Sequence, residues 1–200
     1  MGHLVGWVSA NEKNTNEKVE EVRRKLQQKA YKTERFAAFH SLTDGKITTK
    51  KMNGQTYVLF FCGELWNRNE LRKQWQNGGR DTAMDDAEFA LACYAEWGQR
   101  CFEKMDGRYV FVLWNEEEET LLLARDRLGI KRLFYKIERG KLIFSTDFKD
   151  LVTVSETKPE INEDSLAHIL SFRSILRCYY GIEELEPAHQ IIYDKGKVTK

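Results

Sequence analysis

Between Arg108 and Ser145 the chain leaves room for little except a sheet. Arg108 to Trp114, Thr120 to Arg125, Arg132 to Ile137 and Lys141 to Ser145 are short runs rich in β-branched, aromatic and aliphatic residues. Glu116 to Glu119 and Arg139-Gly140 stand between runs as turns. Strands joined so briefly pair antiparallel, because a parallel return needs a long crossover. A second group of strands comes earlier: His3 to Val8, Arg35 to Leu42, Lys46 to Lys51 and Gln55 to Phe61. Thr43-Asp44-Gly45 is a good hairpin turn between two of them. The end returns to strand, with Gln190 to Tyr193 and Lys197 to Thr199 around Asp194-Lys195-Gly196.

Helices fall between these groups. Thr15 or Asn16 can cap one that runs to about Lys29, with Val19, Val22 and Leu26 as a narrow apolar stripe. Asn67 can cap another that ends near Gln76 and is stopped by Asn77-Gly78-Gly79. Asp85 or Asp86 opens a third through Trp97, and Gly98 ends it. Asp147 to Val152 reads as a helical turn or two, and Glu163 to Phe172 as a helix capped by Asn162. Two groups of antiparallel strands separated by helices imply an α+β layered fold. Two sheets face to face with helices outside satisfy the pattern. With two prolines, no Gly/Ser linker and no internal repeat, residues 1–200 read as one domain.

Composition removes several classes of function. Lys plus Arg is 32 against 31 acidic residues, a net charge of +1, so no basic excess drives nucleic-acid binding. Glu116 to Glu119 is most simply a solvated turn. No window approaches eighteen consecutive apolar residues, so no membrane span is expected. MGHLVGWV lacks the pattern of a secretory signal, and Gly6 stands where a myristoylation motif wants Ser or Thr. Four cysteines are widely spaced without a Cys-x-x-Cys pair and four histidines are scattered, so no metal site is expected. Reduced thiols fit a cytoplasmic protein. Gly107 and Gly129 belong to no phosphate-cradling pattern, so no nucleotide cofactor is expected for this domain.

The stretch FFCGELWN, Phe60 to Asn67, poses the chemical question: a strand is expected to end in Cys-Gly-Glu just before a helix. Cys62 is a nucleophile, a metal ligand, or a small buried hydrophobe. His3 is a general base, or polar surface. Asp86 is a helix cap or a ligand, and Glu64 fixes the turn or walls a pocket. Arg125-Asp126-Arg127 binds a partner or phosphate, or is an ion-pair network bracing its loop.

LVGWV, CGELWNRNELR, DDAE, DGRYVFVLWN, LLLARDRLGIKRLFY and LEPAH, in this order, resemble the N-terminal glutaminase domain of glutamine-hydrolysing asparagine synthetases, class II glutamine amidotransferases. The most specific piece is Ala124 to Lys131, close to the family's ARDRLGIKP, with Arg132 in place of its proline. The weakest is Lys25 to Gln55. The resemblance implies a four-layer αββα sandwich of two antiparallel sheets. It also implies a cysteine thiol, just after the initiator Met, that attacks the glutamine amide with its own α-amine as base. Gly2 stands at that nucleophile position, so no catalytic residue is expected. The family's oxyanion-binding NGE becomes Cys62-Gly63-Glu64, and its substrate-holding SDTE becomes Asp85-Asp86-Ala87-Glu88. Cys62, Gly63, Glu64 and Asp86 are therefore the candidate substrate-binding residues, in vestigial form. The carboxylate-binding arginine has no convincing match.

In that family an ATP- and Mg-using synthetase domain follows in the same chain, and it is the expected partner in cis. The parent's substrate would be a small molecule or a peptide, and a homo-oligomer stays open. Three readings remain: an impaired glutaminase-like domain of an asparagine synthetase-like ligase; the N-terminal domain of a synthetase closing a peptide or lactam ring; or an active glutaminase whose native start differs from Gly2-His3.

Overall fold

The computed structural model describes residues 3–14, 16–41, 45–75, 84–157, 160–161 and 179–200. Gly2, Thr15, the turn at 42–44, Asn77-Gly78-Gly79, the helix expected over 163–172 and Cys178 lie outside the described residues. The chain divides into two compact units, each built on one antiparallel sheet.

The first unit holds 42–131 and 186–200. Its strands are β4 (Gly45–Met52), β5 (Gln55–Leu65), β6 (Gly107–Asn115), β7 (Thr120–Arg125), β11 (Gln190–Asp194) and β12 (Lys197–Thr199), in the order β12-β11-β7-β6-β5-β4. Helices α2 (Arg68–Gln74), α3 (Asp86–Trp97) and α4 (Cys101–Lys104) cover one face. Period-two alternation on β5 sends Leu59, Phe61 and Leu65 into the core that α3 shares through Ala87, Phe89, Ala90 and Leu91. The alternate residues Val58, Phe60 and Cys62 are buried as well. A strand apolar on both faces explains the unbroken run VLFFC.

The second unit holds His3–Ser41 and Arg132–Leu185. Its strands are β1 (His3–Ser9), β2 (Lys29–Lys32), β3 (Phe36–Ser41), β8 (Phe134–Glu138), β9 (Lys141–Ser145) and β10 (Ile182–Glu184), in the order β10-β8-β9-β1-β3-β2. Helices α1 (Asn16–Leu26) and α5 (Phe148–Val154) pack on it. The stripe expected on α1 is real: Val19 and Val22 are buried against Val5, Trp7 and Phe39, with Leu26 beside them.

Several boundaries shift by a residue or two from expectation, and three of the differences bear on the path of the chain. Strand β5 runs on through Cys62-Gly63-Glu64 to Leu65. Those residues therefore sit in a strand, in register with β6, rather than at a turn: Cys62 opposite Val110, Gly63 opposite Tyr109, Glu64 opposite Arg108. Tertiary pairing overrides the breaker tendency of glycine here. Helix α1 stops at Leu26, and Lys29–Lys32 turns back as an edge strand on β3. Strand β8 starts at Phe134, two residues later than its apolar pattern suggests, and ends one residue later. No helix among the described residues is long and apolar enough to cross a membrane.

Candidate functional site

The end of β5 is where the candidate residues gather. Gly63 has φ +138°, and a Cβ there would lie 1.9 Å from the Arg108 carbonyl oxygen. Across the ladder, a Cβ on Gly107 would lie 2.3 Å from the Glu64 carbonyl oxygen. The two backbones thus approach so closely that neither position admits a side chain. This contact fixes the path of the chain on either side of Gly63.

Cys62 is 1% exposed and points away from the face carrying Phe61, so its thiol is packed. Glu64 projects to the rim instead. Its Oε1 accepts from Trp66 Nε1 at 3.0 Å and from Arg108 Nε at 3.1 Å. The Trp66 hydrogen bond first, then the Arg108 guanidinium, hold its carboxyl below the usual range. Of the two roles open to Glu64, fixing local geometry is what its side chain does, through side-chain donors rather than backbone N–H groups.

Asp86 does not cap α3; that reading is corrected by the geometry one residue earlier. Asp85 is extended, with φ −76° and ψ 178°, and its Oδ1 accepts from the N–H groups of Ala87 and Glu88. Glu88 Oε2 accepts from the Asp85 N–H at 3.1 Å, which completes a capping box. Two adjacent aspartates look alike in sequence, and only the outer one has the cap's non-helical backbone. Asp86 is left to bind elsewhere. Its Oδ1 accepts from Arg68 Nη1 at 2.7 Å, and its Oδ2 from the Leu65 N–H at 3.0 Å. Both side chains of the Arg68–Asp86 pair are 25% exposed. The Asp86 carboxylate therefore already carries a cation and a backbone donor.

Arg68 is the residue that sequence reasoning missed. It lies in the first turn of α2, 18 positions from Asp86, a separation that matches no local motif. Nearby, Asn67 makes no side-chain cap for α2. It bridges to the next strand entry instead, donating to the Lys104 carbonyl at 2.7 Å and accepting from the Asp106 N–H at 2.9 Å.

The Arg125-Asp126-Arg127 triplet does brace its loop, and its hydrogen bonds to backbone groups do much of that. Asp126 is fully buried, and its carboxylate accepts from the N–H groups of Leu128, Ile130 and Lys131 at 2.9–3.1 Å. Arg125 donates to the carbonyls of Lys131 and Gly129. Arg127, on the surface, lies 3.6 Å from Asp106 and donates to the Glu103 carbonyl at 2.7 Å. Cys93 and Cys101 are also buried, and burial pushes the Cys93 thiol up to about 12, which leaves it unreactive at neutral pH. His3, considered as a base, begins β1 and places Nδ1 2.9 Å from Asp150 Oδ2.

Comparison with known proteins matches the chain, over residues 1–200, to the family described as "Glutamine amidotransferase domain". It is similar to asparagine synthetase [glutamine-hydrolyzing] 3 of Bacillus subtilis, 31% identical over 147 residues, which is 71% of this chain and 24% of that protein. The amidase chyE of Penicillium rubens is 30% identical over 131 residues, 65% of this chain and 19% of that protein. The chain thus spans about a quarter or less of the length of these relatives. Among solved structures, the glutamine phosphoribosylpyrophosphate amidotransferase of B. subtilis covers 98% of this chain, and the chain 48% of it. That match has a TM-score of 0.67 at 13% identity, a likeness of fold alone. The α+β class with two antiparallel sheets is the one expected.

Proposed function

The chain belongs to the glutamine amidotransferase domain family, and from that premise we propose that it is a degenerate member, unable to hydrolyse glutamine, within an asparagine synthetase-like amide-forming ligase. The observation that carries the reading is Gly2 at the position aligned with the family's nucleophile. Glycine offers neither sulfur nor oxygen with which to open an amide.

Two further features support it. Cys62 replaces the oxyanion-binding asparagine, and a thiol is a weak donor beside a carboxamide. Losing such a donor costs about 2.7–4 kcal/mol in the transition state. Asp86, which would hold the substrate's amine, is engaged by Arg68 and the Leu65 N–H. A substrate ammonium would have to displace a charge-assisted bond before it could bind.

The parent protein then takes its nitrogen from ammonia or from an amine of its own substrate, and forms the amide in an ATP- and Mg-dependent synthetase domain in cis. The glutaminase-like unit serves there as a structural and docking element. Stepwise restoration tests this. Gly2→Cys alone is expected to give at most weak glutamate release. Gly2→Cys with Cys62→Asn is expected to raise the rate by about 10²–10³ over the single variant. Glutamate release by the unaltered chain above a heat-killed control would overturn the reading.

A further inference from the structure

Strand β1 and helix α5 bring together three metal-ligating side chains that belong to no part of the amidotransferase reading. A ring nitrogen of His3 and carboxylate oxygens of Asp147 and Asp150 all lie within 4.8 Å of one another. We propose that His3, Asp147 and Asp150, with the side-chain oxygen of Gln28, form a binding site for a single divalent transition cation such as zinc. The proposal stands whether or not the glutaminase is silent.

Four observations support it. The first is the scaffold. The Leu4 N–H donates to Thr146 Oγ1 at 2.9 Å, and the Thr146 N–H donates to the Leu4 carbonyl at 2.8 Å. Ser145 Oγ donates to the same carbonyl at 3.1 Å and accepts from the Asp147 N–H at 3.0 Å. The backbones that carry His3 and Asp147 are therefore clamped to each other next to the cluster, and the ligands are pre-placed.

The second is charge. Asp147 and Asp150 sit three residues apart at the start of α5, and neither has a Lys or Arg partner among the described residues. Two close carboxylates repel, and a cation between them relieves that repulsion.

The third is an orphan atom. Gln28 donates its Nε2 to Asp150 Oδ2 at 3.3 Å, while its Oε1 is buried with no hydrogen-bond partner among the described residues. A buried carbonyl oxygen left unsatisfied costs about 1–3 kcal/mol, and an ion is one of the few things that repays it. The Gln28 atom beside Asp150 is the Nε2 donor, so a half-turn of the amide is what brings this oxygen to the cation.

The fourth is the donor set. One imidazole, two carboxylates and an amide oxygen, without thiolate, suit zinc or manganese better than copper(I) or an iron–sulfur centre. His3 is only 39% exposed at its side chain and Asp150 15%, so the group is half-sheltered yet reachable.

The test uses the full chain, without an affinity tag, titrated with zinc in a calorimeter and with cobalt(II) in a spectrophotometer. The expected result is one equivalent bound, a melting temperature raised by zinc, and a cobalt spectrum without the thiolate charge-transfer band that cysteine ligation would give. Asp150→Asn is expected to weaken zinc binding at least tenfold. Should that variant fold poorly, Gln28→Leu, which removes the orphan oxygen and keeps the volume, is expected to weaken it as well while leaving metal-free stability unchanged or higher. No binding at micromolar zinc, a thiolate band, or equal affinity in folded Asp150→Asn and wild-type chains would overturn the proposal.

Discussion

Gly63 and Gly107 are the residues on which the candidate site's geometry depends. Each faces a carbonyl oxygen of the other strand at a distance no Cβ tolerates. Gly63 adds a positive φ that other residues rarely adopt. Gly107→Ala suffers the clash alone and is expected to cost about 1–3 kcal/mol. Gly63→Ala adds backbone strain of about 1–2 kcal/mol to the same clash, so it is the more damaging of the two. Urea denaturation of both variants checks the order; equal or reversed costs would contradict this account of the strand pair. Asp126 is a second such residue. Asp126→Ala strands the N–H groups of Leu128, Ile130 and Lys131 and is expected to cost about 3 kcal/mol or more. Arg127→Ala, on the surface beside it, is expected to stay within about 1 kcal/mol by the same denaturation curves.

At the scale of elements, α3 shows what sequence can and cannot say. Its span, acidic start and glycine stop were legible, because capping chemistry is local. Which of two adjacent aspartates caps was not, since that depends on a backbone angle. Asp85→Ala is expected to cost about 1 kcal/mol by thermal unfolding, as other capping losses do. Asp86→Asn is expected to leave the cap intact and weaken the bond to Arg68. The hairpin strands from Gly107 to Ser145 were legible for the same local reason: short turns and apolar runs. The return of Lys29–Lys32 as an edge strand was not, because its burial is slight and, among the described residues, it pairs with β3 alone. Likewise Gly63 looked like a turn residue, and only pairing with Tyr109 keeps it in the strand. Of the candidate site, Cys62, Gly63, Glu64 and Asp86 could be named from the resemblance, whereas Arg68 and the meeting of His3 with Asp150 needed the fold.

At the scale of the molecule, one charged network of the second unit couples folding to pH. Lys141 is buried beneath Glu12 and Glu156, and Lys18 reaches Glu156 at 3.0 Å. The hydrogen bond from Lys141, then that from Lys18, pull the Glu156 carboxyl from 4.5 to about 2. A depressed carboxylate stabilises the fold above its unfolded value, and that contribution fades as pH falls from 4.5 toward 2. Unfolding measured against pH is therefore expected to show Glu156→Gln less stable than wild type near neutrality, with the gap closing through that window. A gap that stays constant down to pH 2 would place the network's value in packing rather than charge. The chain matches the glutamine amidotransferase family over residues 1–200, and the proposed loss of glutaminase chemistry turns on Gly2 standing where the resemblance expects the nucleophile. Glutamate release from glutamine by the purified, unaltered chain measures that contrast most directly. The expected rate equals that of the heat-inactivated control, and sustained turnover above it would contradict the account.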